Sequence, residues 1–160
     1  MPSWLSIAQS YIGVREIKGA KHNSTIASWL AKLKLWWRDD ETAWCGVFVS
    51  NCLLEAGYKP VSEGYRARSW LSYGDVLVAP AVGAIAVIRR LDGGYHVGFV
   101  VAQDSKRGTI VLLGGNQGDA VKYSSFLKAQ VVGYRWPTGT IKPVFKLPNG
   151  TADLSDKELL

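Results

Sequence analysis

Apolar residues recur three and four positions apart at Trp4, Leu5, Ala8, Tyr11 and Ile12. That spacing predicts a helix opened by Ser3 and ended by Gly13. The same period predicts a second helix from Asn23 through Ile26, Ala27, Trp29, Leu30 and Leu33. A third covers "ETAWCGVFVSNCLLEAG" (41–57), with Thr42 or the acids before it at the N-cap, Val47, Phe48, Cys52 and Leu53 inward, and Gly57 just past its end. A short fourth runs near Tyr65 to Tyr73 and stops at Gly74.

From Ala84 the pattern changes to short β-branched and aromatic runs: "AIAVIRR", "YHVGFVVA", "TIVLLGG" and "VVGYRW". The separators "LDGG", "QDSKRG" and "NQGD" are turn signals between antiparallel neighbours, the last followed by a short strand or turn at Ala120 to Tyr123. Helices first and strands afterwards predict an α+β domain, with N-terminal helices packed on one side of a small curled antiparallel sheet. The expected organisation is one catalytic domain over 1–137 and a weakly ordered C-terminal tail over 138–160, where Pro, Gly and charge replace periodicity.

With 160 residues and 48% hydrophobic content, the chain suits one core. No apolar run is long enough to span a membrane, and the first residues lack a basic region and a small-residue cleavage site. Synthesis in a host cytoplasm without a signal peptide is therefore expected. The formal charge of +6 favours a polyanionic setting, which could be nucleic acid, anionic lipid or an acidic wall polymer. Because the basic residues are dispersed, a basic solvated surface explains them equally well.

Cys45 and Cys52 lie on one face of the third helix, about 10 Å apart along its axis, too far to bond to each other. Only His22 and His96 could join them at a metal, so no metal or cofactor is expected. Cys45 falls at the start of its helix, where free N–H groups and the dipole stabilise a thiolate; Cys52, two turns deeper, reads as an inert core residue. Of the histidines, His22 precedes a helix and suits a cap or the surface, whereas His96 opens a strand after the "DGG" turn and can face a cleft. If "YHVGFVVA" and "TIVLLGGN" form a hairpin around "QDSKRG", Ala102 pairs with Thr109 or Ile110, and the residue opposite His96 is Gly115 or Asn116. An Asn116 amide there could orient the imidazole, although a Gly- and Asn-rich stretch is also a common turn.

A cysteine at a helix N-terminus, a histidine on the next sheet strand and a polar orienter on the one after form a papain-like arrangement. At this point the chain resembles the CHAP-type and NlpC-like cysteine amidase and peptidase families, and in particular their small phage endolysin members. The resemblance rests on "WLSIAQSYIGVREIKGAKHNSTI", "DDETAWCGVFVSNCLLEAGY", "ARSWLSYG", "HVGFV", "GGNQGDAV" and "VVGYRWP", which together span Trp4 to Pro137.

The resemblance implies hydrolysis of an amide bond in bacterial peptidoglycan, with Cys45 as nucleophile, His96 as general base and then acid, and Asn116 as orienter. The Cys45 backbone N–H is a natural oxyanion donor. Asp40 and Glu41, in the acidic run from Asp39, stand where such families place a substrate-contacting acid, though charges stabilising a helix N-terminus explain them too. Trp44 and Trp70 are candidates to line the substrate groove, with Gln117 as a further candidate, while Trp4, Trp29, Trp36, Trp37 and Trp136 read as core. The implied setting is host lysis by a monomer that acts on the cell wall and reaches it through a holin-type pore, without nucleic acid. The same chemistry would serve an antibacterial effector or virion-associated lysin. A non-catalytic basic module for glycan or nucleic acid is the alternative from another class.

Overall fold

The computed structural model describes residues 1–17, 23–34 and 43–152. Helices α1 (Ser3–Ser10), α2 (Ser24–Lys32) and α3 (Cys45–Glu55) come first, followed by a 3-10 helix, Ala67–Ser72. Strands β1 (Asp75–Leu77), β2 (Ile85–Arg89), β3 (Tyr95–Asp104), β4 (Thr109–Gln117), β5 (Ala120–Leu127) and β6 (Val131–Trp136) follow. They form one antiparallel six-stranded sheet in the order β1-β6-β2-β3-β4-β5. The architecture is α+β, as the change of period at Ala84 predicts. β1 is the strand that periodicity does not mark, because its three residues are fixed only by pairing with β6.

Asn23 caps α2 by accepting from the N–H groups of Thr25 and Ile26 at 2.8 and 3.3 Å. The cap of α3 is Trp44, which makes no side-chain cap bond; Thr42, expected there, lies outside the described residues. α3 is not one-sided: every residue from Cys45 to Leu53 is buried, because the helix packs on β3 and β4 and is covered by α1 and α2. Glu55 ties these helices together, accepting from Tyr11 Oη at 2.7 Å and Asn51 Nδ2 at 2.8 Å, with Lys32 Nζ at 3.8 Å.

Trp4, Trp29, Trp44 and Trp70 are fully buried. Three of the four buried indole N–H groups have a partner among the described residues, that of Trp29 having none: Trp4 donates to the Gly83 carbonyl at 2.8 Å and Trp70 to that of Gly64 at 2.9 Å. Trp44 packs against Trp29 and donates to Glu16 Oε1 at 3.2 Å. The expectation that Trp44 and Trp70 line a groove is therefore corrected. The ring beside Cys45 in sequence is turned inward, onto Trp29 and Glu16. Trp36 and Trp37 lie outside the described residues.

The segment after Trp136, expected as a weakly ordered tail, is tied to the body as far as Gly150. Val82 N–H donates to the Val144 carbonyl, and Gln103 exchanges backbone bonds with Pro148 and Gly150. Its occasional apolar residues anchor it, as when Leu147 packs on the core, and that needs no regular period.

Gly46 marks the tightest approach between α3 and the chain that follows it. A Cβ there would meet the carbonyl oxygen of Gly64 and lie 2.6 Å from that of Tyr65. Gly46→Ala is expected to cost about 1–3 kcal/mol through forced backbone movement, read as a fall of several degrees in the thermal midpoint; an unchanged midpoint would contradict this packing.

Candidate active site

Cys45 is the first residue of α3, 7% exposed, at the end of the helix that faces β3. The backbone N–H groups of Val97, Gly46 and Cys45 itself favour the Cys45 thiolate, and the Val97 group comes from the residue after His96. The nucleophile candidate and the base candidate are thus brought to adjoining positions by packing α3 on the sheet. Among the described residues no hydrogen bond joins Cys45 to His96.

His96 pairs with Ile88 across the β2/β3 ladder and is 5% exposed. Its Nε2 lies 2.8 Å from Gln117 Oε1, and its ring stacks on Phe126 at 5.2 Å and 26°. The Gln117 amide nitrogen donates to the carbonyls of Leu112 at 3.2 Å and Lys122 at 2.6 Å. Carbonyls only accept, so the other end of this amide, facing His96, is the oxygen. An acceptor there requires the proton on Nε2 and leaves Nδ1 as the basic nitrogen of the neutral ring.

The amide on His96 is therefore that of Gln117 and not of Asn116, a correction of one residue with a definite cause. The β3/β4 ladder shifts register between Val100 and Ala102 and its pairs end at Phe99 with Leu113. Beyond that point β4 bulges: Gly114 pairs with Lys122 but Gln117 pairs with Ala120, so Gly115 and Asn116 together oppose Val121. Asn116 takes the extra position, at φ 57°. Gly118 and Asp119 then close the β4/β5 hairpin with φ of 59° and 60°, as a primed two-residue turn requires. Asn116 stays beside the site, lining with His96, Gln117 and Arg90 a cavity of about 230 Å³.

Burial pushes the Cys45 thiol up, against the pull of the three N–H groups and the charge of Arg90. His96 is pushed down, chiefly by burial and further by Arg90, against the Gln117 bond that favours its charged form. The resting pair is therefore thiol and neutral imidazole. Cys52 lies well above its ordinary value through burial, with Glu55 adding, and belongs to the core.

These shifts predict a stability plateau with two slopes. Because burial favours neutral His96, its contribution is present above the ordinary value of 6.5 and is lost as pH falls from there toward the lower folded value. Both thiols are favoured in neutral form, so their contribution is full below 9.0 and lost as pH rises beyond it. The thermal midpoint should be level between these limits, and His96→Gln should flatten the slope that sets in below pH 6.5. An unaltered slope would place its origin elsewhere.

Asp40, Glu41 and His22 lie outside the described residues. Neither Arg90 nor Phe126 was marked by sequence reasoning. Arg90 closes the β2/β3 turn through its N–H to Gly94 at 2.7 Å, a hairpin position that could have flagged it; Phe126 required knowing the face of β5. Among the described residues no group of acids, histidines and cysteines could hold a metal ion, and no helix is long and apolar enough to cross a membrane.

A CHAP domain family model matches residues 37–116, half of the chain, a stretch that holds Cys45, His96 and Asn116 and ends one residue short of Gln117. No curated protein matches the chain.

Proposed function

The chain belongs to the CHAP domain family of peptidoglycan amidases and peptidases, and from that premise we propose that it hydrolyses an amide bond of bacterial peptidoglycan by papain-like thiol catalysis at Cys45 and His96. The observation that carries this reading is the fixed imidazole: Gln117 holds Nε2–H, so Nδ1 is the free base, on the strand whose next residue, Val97, favours the Cys45 thiolate through its N–H. Gln117 takes the orienting role, and Asn116 is left to line the substrate cavity.

In this mechanism substrate binding displaces water and brings the scissile carbonyl to the sulfur. His96 Nδ1 takes the thiol proton as the sulfur attacks, giving a tetrahedral oxyanion beside the first-turn N–H groups of α3. Imidazolium then gives its proton to the leaving amine, and the C–N bond breaks to leave a thioester. Water, deprotonated by the same nitrogen, releases the acid and the free thiol. The raised thiol and lowered imidazole fit a proton transfer that accompanies attack.

The biological setting is host lysis in the manner of a small endolysin, with Asp40 and Glu41 as candidate substrate-contacting acids, access through a holin-type pore and a monomeric enzyme. The same chemistry in a virion-associated lysin or antibacterial effector is the second setting. The test of the reaction is the group it liberates. Purified peptidoglycan should gain free amino groups and no reducing sugar ends, and appearance of reducing ends without amino groups would move the cleavage to the glycan and overturn the reading.

A further inference from the structure

Among the described residues that line the cavity beside His96 there is no carboxylate, yet a cation stands at it. Arg90 is exposed and lines the cavity opposite Asn116 and Gln117. Its own acidic neighbour is Asp92, whose carboxylate lies 3.8 Å from Nε with both side chains more than half exposed. Such a pair contributes about 0–1 kcal/mol and yields readily to a better-placed anion. Asp92 is moreover engaged elsewhere, accepting the Gly94 N–H at 2.9 Å in the turn.

A second cation approaches from the other wall. Residues alternate faces along a strand, and Phe126 of β5 stacks on His96, which puts Ser124 and Lys122 on that same face. The Lys122 ammonium lies against Gly118, a lining residue: a Cβ added there would come within 2.9 Å of Nζ. Ser124, Ser125 and Asn116 also line the cavity and offer neutral donors that suit an oxygen anion.

We propose that this cavity is an anion-reading subsite in which Arg90, with Lys122 at its rim, binds a carboxylate carried by the substrate next to the scissile amide. The inference rests on the hydrolase reading for the identity of that substrate, an acidic peptide limb of the wall polymer. Guanidinium is suited to the task because its fork matches the two oxygens of a carboxylate. The position also serves the chemistry, since the Arg90 charge favours the Cys45 thiolate and disfavours protonated His96.

Two measurements test this, and the first needs no peptidoglycan. Iodoacetate and iodoacetamide alkylate the same sulfur at matched pH and differ in carrying a carboxylate or its amide. In the wild type the anionic reagent should be favoured, and Arg90→Gln should lower the ratio of iodoacetate to iodoacetamide rates at Cys45, located by mass spectrometry, by roughly fivefold or more. Lys122→Gln should lower it less. A ratio unmoved by either substitution, in variants with wild-type melting, overturns the subsite.

The second compares soluble stem-peptide fragments whose acidic residue bears a free carboxylate or an amide. Arg90→Gln should reduce kcat/KM about tenfold more for the first than for the second, the extra loss falling mainly on KM; equal loss on both overturns selectivity for the anion. If the wild type cuts neither fragment nor intact wall, the hydrolase reading falls, and the alkylation ratio alone upholds or overturns the anion site.

Discussion

Cys45→Ser should lower the rate of peptidoglycan hydrolysis by roughly a thousandfold or more while leaving the fold intact. Serine differs from cysteine by one atom, and its hydroxyl can accept the same Val97 N–H that faces the sulfur. The residue is buried among α3 and β3 without a disulfide, so the exchange removes no cross-link. What changes is the nucleophile: a hydroxyl holds its proton far more tightly than a thiol, and His96, already pushed down by burial, is a weak base for removing it. Turbidity of purified cell walls, followed beside thermal melting of both proteins, separates the outcomes. Equal clearing by the serine variant would end the thiol mechanism.

His96→Ala should lower turnover by about two to four orders of magnitude, the usual range for a general acid–base. Two companion substitutions carry more information. Gln117→Ala removes the acceptor that favours imidazolium, so the His96 pKa should fall further and the acid limb of the kcat/KM profile should move to lower pH. The rate at its plateau should fall about tenfold to a hundredfold, because Nε2–H loses its orienting partner. Asn116→Ala should leave the limb where it is. The reverse pattern, with the limb moving for Asn116 and not for Gln117, would return the orienting role to Asn116.

The difference between those two residues also defines what the sequence could and could not reveal. Hydrophobic spacing located the three α-helices, the 3-10 turn near Trp70 and the runs that became β2, β3, β4 and β6, because each signal is local. The hairpin arithmetic brought the "GGNQ" stretch to His96 correctly and missed the partner by a single residue. A bulge is invisible to such arithmetic, since the extra residue at Gly115–Asn116 depends on what the neighbouring strand and α3 demand. A Cβ on Gly115 would lie 2.7 Å from atoms of both Phe48 and Trp44.

Trp44 and Trp70 failed for a related reason. An indole suits a sugar-binding groove and a protein core equally well, and only the position of Glu16 and of the Gly64 carbonyl decides between them. The site cations were hidden by the opposite problem. Arg90 and Lys122 are two among many dispersed basic residues, and nothing local distinguishes a cation at a cavity from one in open solvent.

Residues 13–16 run along β5, with Gly13 and Val14 bonded to Val121, Glu16 N–H to the Asp119 carbonyl, and Arg15 bridged to Ala120. The Glu16 side chain continues to Trp44, directly before Cys45. Anyone trimming this chain for display, fusion or domain shuffling would be drawn to cut at the start of the family match, residue 37. That cut keeps every proposed reacting group yet strips the clasp from the Gln117 hairpin and leaves strand edge open for a stray chain to adopt. A portable unit should begin ahead of α1, and shuffled lysins should inherit Gly13 to Glu16 and the Ala120 strand from the same parent.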